Sequence, residues 1–145
     1  MKSSKKELVI NHPAEDLYNI VLDIEKYPEF IPWCKELIIK KKIKNELEAD
    51  MIISYKFFLK KKFTSKVKFD PIKLKINTSY IDGPLKDLKT EWQFNKIKKN
   101  KTKVIFKINF EFEKSLHQNL AEILFNLIEN KMIESFKKRS DNILN

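Results

Sequence analysis

Between residues 63 and 113 apolar and polar side chains alternate in run after run, with only short breaks between runs. In the last run Val104, Phe106, Ile108, Phe110 and Phe112 fall on one side, and Lys103, Lys107, Asn109, Glu111 and Glu113 on the other. A period of two belongs to the β-strand, whose successive side chains point to opposite faces. Runs this close in sequence pair as antiparallel neighbours, because a parallel pair needs a long crossover. A chain patterned this way builds a sheet with one dry and one wet face, and something must cover the dry one.

The pattern divides into seven strands. Residues 6–11 form a short first strand, residues 36–44 the second and residues 46–57 the third. The fourth places Phe63, Ser65, Val67 and Phe69 on one face; the fifth does the same with Ile72, Leu74, Ile76, Thr78 and Tyr80; the sixth with Leu88, Thr90, Trp92 and Phe94. Between the first two strands, Asn11-His12-Pro13 reads as a helix start, with Glu15 and Asp16 favourably placed in the first turn. That helix runs to about Asp23 and buries Leu17, Ile20, Val21 and Ile24. Residues 115–142 read as one long helix, with Ser115 and Gln118 as a capping box. Leu116, Leu120, Ile123, Leu124, Leu127, Ile128, Met132 and Phe136 give it a wide apolar stripe. The expected fold class is α+β, a curved antiparallel sheet of seven strands wrapped around a long C-terminal helix. Residues 1–145 are expected to form a single domain.

One segment obeys neither period. Residues 27–34 read Tyr-Pro-Glu-Phe-Ile-Pro-Trp-Cys. Each proline lacks an N–H and restricts the residue before it, which excludes a regular helix. Tyr27, Phe30, Ile31 and Trp33 nevertheless carry too much apolar surface to stand in water. The segment is expected to pack its aromatics inward as the wall or lid of a cavity. Gly83 is the only glycine and precedes Pro84, which suits a hairpin between the fifth and sixth strands.

Composition narrows the chemistry. One cysteine, Cys34, excludes an intramolecular disulfide, and two histidines, His12 and His117, give no metal-ligand spacing. Cys34 reads as a packed, inert thiol, and Glu111 and Glu113 as charges on the wet sheet face. With a single glycine in a turn, no phosphate-binding loop can be built. No catalytic constellation is visible, and a non-enzymatic protein is expected. The basic N-terminus leads into no signal-like apolar segment, and the stretch 120–128 is too short and too polar to span a membrane. A cytoplasmic protein, in peripheral contact with an inner membrane, is the expectation. The net charge is +10, yet 29 of the 30 basic residues are lysine and only Arg139 is arginine. This bias, with abundant isoleucine and asparagine, is what AT-rich coding produces. Whatever its origin, the field favours anionic partners.

The segment 27–34 resembles the signature of the START-type coenzyme Q-binding proteins and their relatives, the ribosome association toxins. The resemblance extends to Leu17, Tyr18, Ile20 and Val21 before it, and to Asp82-Gly83-Pro84-Leu85, Leu88 and Trp92-Gln93-Phe94 after it. It continues through Phe110-Glu111-Phe112, Ser115-Leu116, Met132 and Ser135-Phe136-Lys137-Lys138-Arg139, and so covers about residues 7 to 140. It implies a START-like helix-grip fold and a protein that binds ubiquinone, or a similar polyprenyl quinone, as ligand rather than cofactor. The alternative it implies is association with the large ribosomal subunit. On the quinone reading, motif match and inward alternation nominate Tyr27, Pro28, Phe30, Pro32 and Trp33 as the gate. They nominate Trp92, Phe94, Phe106, Phe110, Leu124 and Ile128 as the wall, with Trp92, Thr90 and Tyr55 as polar anchors. Lys60, Lys61 and Lys62, at the expected tip between the third and fourth strands, are nominated to meet an anionic membrane or RNA.

Overall fold

The computed structural model describes residues 2–55, 59–112, 122–123 and 125–144. Seven strands form one antiparallel sheet in the order β1-β7-β6-β5-β4-β3-β2. The strands are β1 (Lys2–Ile10), β2 (Cys34–Ile43), β3 (Glu46–Tyr55), β4 (Leu59–Asp70), β5 (Lys75–Asp82), β6 (Leu85–Lys98) and β7 (Lys101–Phe112). Every neighbour from β2 to β7 is also the next in sequence. Only β1 breaks the meander, closing onto β7 with Leu8 opposite Val104 and Lys6 opposite Phe106.

Helix α1 (Ala14–Leu22) and a 3₁₀ turn (Ile24–Glu29) lie between β1 and β2. Near the C-terminus a π-helical turn (Leu127–Lys131) runs directly into helix α2 (Met132–Leu144). Both helices cover the dry sheet face. Phe106, Ile108 and Phe110 from β7, Ile76 from β5 and Val104 are almost fully buried there. Leu17, Val21, Ile128 and Phe136 meet them from the helical side.

The α+β sheet-and-helix architecture is as expected. The differences lie at the element ends. β1 begins at Lys2 rather than near residue 6, because backbone pairing with β7 continues past the apolar positions. The fifth strand does not start at Ile72. The Asp70 carboxylate accepts hydrogen bonds from the Ile72 and Lys73 amides, 3.0 Å each, and folds 71–74 into a turn. Leu74 then takes a left-handed φ of 54°, and Ile72 is left exposed. The proline segment forms no α-helix, but its first part is a 3₁₀ turn that accommodates Pro28. The long helix expected over 115–142 is described only from residue 122. Ser115, Gln118 and His117 lie outside the described residues, and its middle widens into the π turn.

Gly83 has φ +148° at the β5–β6 connection, as its role in a hairpin required. A Cβ there would sit 2.9 Å from the Tyr80 hydroxyl and 3.0 Å from the Lys62 carbonyl oxygen.

Candidate functional site

The segment 27–34 meets α2 through aromatic rings. Alternation of burial along the segment explains how: Tyr27, Ile31, Trp33 and Cys34 turn inward, Pro28 and Pro32 stay exposed, and Phe30 lies between. Phe136, one turn into α2, is the hub. Its ring centroid lies 5.2 Å from Tyr27, 5.1 Å from Phe30 and 5.0 Å from Trp92, each edge to face. Such pairs exceed simple area burial by about 0.5–1.5 kcal/mol each. Trp92 passes the contact on to Phe106 at 4.6 Å and stacks parallel to Phe94 at 6.0 Å.

Two polar contacts fasten the rim. Arg139, one turn beyond Phe136, bonds the Glu29 carboxylate at 3.1 Å and lays its guanidinium 5.0 Å from the Phe30 ring centre. Inside, the Tyr27 hydroxyl donates a short hydrogen bond to the Val21 carbonyl. Burial, reinforced by nearby Cys34 and Asp23, raises the Tyr27 pKa, so the hydroxyl stays a donor. Burial likewise pushes the Cys34 thiol up to about 11, which leaves it a poor nucleophile at neutral pH. The Trp33 carbonyl accepts from the Ser54 amide at 2.9 Å and anchors the far end of the segment to β3.

Behind this latch the described residues leave a small apolar gap. The enclosed space bounded by Val21, Trp92, Phe94, Ile133 and Phe136 measures about 10 Å³, room for roughly one water molecule. Outside the latch a surface groove of about 240 Å³ runs between α1 and α2, lined by Asp16, Asn19, Asp23, Phe30, Arg139 and Leu144. One buried polar atom stands out. The Tyr18 hydroxyl has no hydrogen-bond partner among the described residues, although its ring packs edge-on against Phe94 at 6.0 Å. Desolvation, with a smaller push from Asp70, raises its pKa.

Of the residues nominated from sequence, Tyr27, Phe30, Trp92, Phe94 and Phe106 therefore form one ring cluster, with Trp33 buried beside it. Phe110 is buried but belongs to a second cluster, with Phe112 at 4.6 Å and Phe125 at 6.0 Å. Ile128 is buried in the π turn. Leu124 and the Tyr55 side chain lie outside the described residues. Thr90 is half-buried opposite Thr78 and Ile108. Lys60, Lys61 and Lys62 are exposed but sit within β4 itself, opposite Ser54, Ile53 and Ile52, rather than in a hairpin tip.

Sequence reasoning undervalued Phe136, Arg139 and Tyr18. A signal for Arg139 was present: among 30 basic residues it is the one arginine, and a planar guanidinium is the cation suited to stacking on a ring. Among the described residues no group of three or more His, Cys, Asp or Glu gathers as a metal site. No described helix is long and apolar enough to cross a membrane.

The family described as "Polyketide cyclase / dehydrase and lipid transport" matches residues 10–137. The chain belongs to this family. Coenzyme Q-binding protein COQ10, mitochondrial, from Drosophila melanogaster is 34% identical over 145 residues, covering 94% of this chain and 59% of that protein. The chain thus spans little more than half the length of that relative. Ribosome association toxin RatA from Rickettsia prowazekii is 30% identical over 148 residues and covers 99% of both chains. Among solved structures, a START superfamily protein from Mycobacterium smegmatis superposes with a TM-score of 0.83 at 15% identity, covering 97% of this chain and 98% of that one. The START-like helix-grip shape expected from the sequence is therefore the fold of this family member.

Proposed function

We propose that the protein is a non-enzymatic carrier that binds a polyprenyl quinone such as ubiquinone between the sheet and α2, and supports its delivery for respiration or biosynthesis. The observation that carries this reading is the aromatic latch. An apolar interior is shut by the contact of one short segment with one helix, at Phe136, and that contact is fastened at its rim by the single Glu29–Arg139 pair. A quinone ring is far larger than the gap beside Phe136, so on this reading the latch is shut. Loading then requires Phe136 to leave Tyr27 and Phe30. The π turn ahead of α2 is the place we assign to that adjustment, because such turns interrupt a regular helix and recur at functional sites. Tyr18 supplies the polar element, a buried donor with no partner among the described residues and so open to a quinone carbonyl oxygen.

A carrier needs little net affinity. Each buried CH₂ of a polyprenyl tail gains about 0.8 kcal/mol, and a bilayer offers about the same. Transfer into the protein is then near neutral while the passage through water is avoided. Organic extraction of the purified protein followed by mass spectrometry tests the reading. A stoichiometric quinone is the expected result; an empty extract, together with failure to take quinone from vesicles, rejects it.

Association with the large ribosomal subunit is the second reading. It is supported by the end-to-end match to the RatA relative and by lysines on the wet sheet face, among them Lys66, Lys68 and Lys107. Co-sedimentation with ribosomal subunits in place of lipid uptake is the outcome that favours it.

A further inference from the structure

Three hairpin tips lie side by side along one end of the sheet, because the β2–β3, β4–β5 and β6–β7 connections all fall there and their strands are neighbours in order. Each tip exposes an isoleucine next to lysine. Ile43 stands between Lys42 and Lys44 and is 67% exposed; Ile72 precedes Lys73 and is 91% exposed; Ile97 stands between Lys96 and Lys98 and is 48% exposed. An exposed isoleucine alone means little, but the same pairing at three adjacent tips sets three exposed isoleucines among lysines along one end of the sheet.

The nearby carboxylates, Asp70 and Glu46, keep their charge but are outnumbered by Lys42, Lys44, Lys73, Lys96, Lys98, Lys99 and Lys101 at the three tips. Asp70 is occupied by the Ile72 and Lys73 amides. Glu46 faces Lys68 at 3.6 Å. The first two tips are also held in shape: the Asn45 carbonyl accepts from the Phe69 amide at 3.0 Å, and the Leu74 carbonyl from the Phe94 amide at 3.1 Å. Ile43 and Ile72 are thus presented by firm backbone.

We propose that this end of the sheet is a docking surface for an anionic phospholipid bilayer. The isoleucines enter the boundary between headgroups and acyl chains, and the flanking lysines meet the lipid phosphates. A bilayer is favoured over a nucleic acid because RNA offers phosphate to the lysines but no apolar layer for three isoleucines. The surface does not depend on what the interior holds.

The test uses the full chain and flotation with vesicles of phosphatidylcholine, with and without phosphatidylglycerol. The parent is expected to bind only the anionic vesicles, and less at high salt. Exchanging Lys42, Lys73 and Lys98 for Gln should weaken binding about a hundredfold, since each lysine near an anionic surface contributes about fivefold. The exposed-site variant Ile43→Ser/Ile72→Ser/Ile97→Ser should keep the fold and weaken binding about tenfold or more. A control with Lys35, Lys86 and Lys89 changed to Gln, exposed at the opposite end of the sheet, should bind far better than the first variant. The proposal is overturned if the parent ignores anionic vesicles, if the isoleucine variant binds like the parent, or if the control loses as much as the tip variants.

Discussion

His12 Nε2 lies 2.9 Å from Asp141 Oδ1, joining the loop before α1 to the last turns of α2. An ionised carboxylate can only accept, so Nε2 carries the proton. The His12 carbonyl also accepts from the buried Thr102 hydroxyl at 2.7 Å, fixing the loop to β7. Asp141 further receives Lys137 at 3.1 Å. These contacts, His12 first, hold the Asp141 carboxyl below its ordinary range. A depressed folded pKa gives stability that is present above the unfolded carboxyl range, about 4, and lost as pH falls through the folded value. Asp141→Asn should therefore lower Tm at neutral pH, and the gap between variant and parent should narrow on acidification. Thermal melts across pH 2 to 7 (about) check this; a gap independent of pH assigns the contact to packing alone.

Tyr18→Phe separates two consequences of an orphaned hydroxyl. The unpaired group is a burden on the empty protein, so its removal should leave stability unchanged or raise it by about 1 kcal/mol. If the hydroxyl meets a quinone carbonyl, the same variant should bind quinone several-fold more weakly. Denaturant melts and a quinone fluorescence titration read the two effects independently, and unchanged affinity removes Tyr18 from the site.

Phe136→Ala deletes the hub of the latch. Loss of about 3–5 kcal/mol is expected, as for other buried Phe truncations. The milder Glu29→Gln leaves every ring in place and weakens two surface pairs, with Arg139 and with Lys26 at 3.6 Å, each worth about 0–1 kcal/mol. It should leave Tm nearly unchanged and yet speed quinone exchange between vesicles. An exchange rate equal to the parent's means that the pair does not hold the latch.

Gly83→Ala places a methyl against the Tyr80 hydroxyl and a backbone carbonyl at a φ that side chains avoid. Tyr80 holds the Leu85 amide at 2.9 Å, so a shift of its ring also loosens the start of β6. A loss of about 1–3 kcal/mol is expected, read as a drop in the denaturation midpoint with the slope unchanged. No loss means that the turn can relax.

The sheet was legible because alternation over strands such as β7 is set by the same burial that the structure uses: Val104, Phe106, Ile108 and Phe110 all lie inside. Its ends were not, because a turn can override a period. Ile72 and Leu74 continue the alternation of β5 perfectly, yet the Asp70 side chain captures two amides and folds them out of the strand. The latch was half legible. The prolines and aromatics of 27–34 marked a stiff inward-facing segment, whereas its partner Phe136 looked like any other member of a helical stripe. Periodicity gives the face of a helix but not the ring it will touch. His12 and Asp141 are 129 residues apart, and no local pattern links them.

The sheet is open, with β1 and β2 each paired on one side only. Unpaired backbone groups along such margins invite strands from other chains to add on, the first step toward fibrils. Here the same lysines that give the molecule its field stand guard. Lys5 and Lys6 mark one margin and Lys40, Lys41 and Lys42 the other, with a bulge between Ile39 and Lys41 that breaks the straight template. An incoming strand must then bring its own backbone against a row of like charges and a kinked register. Neutralising Lys40, Lys41 and Lys42 on the β2 margin should therefore make the chain readier to add strands edge to edge.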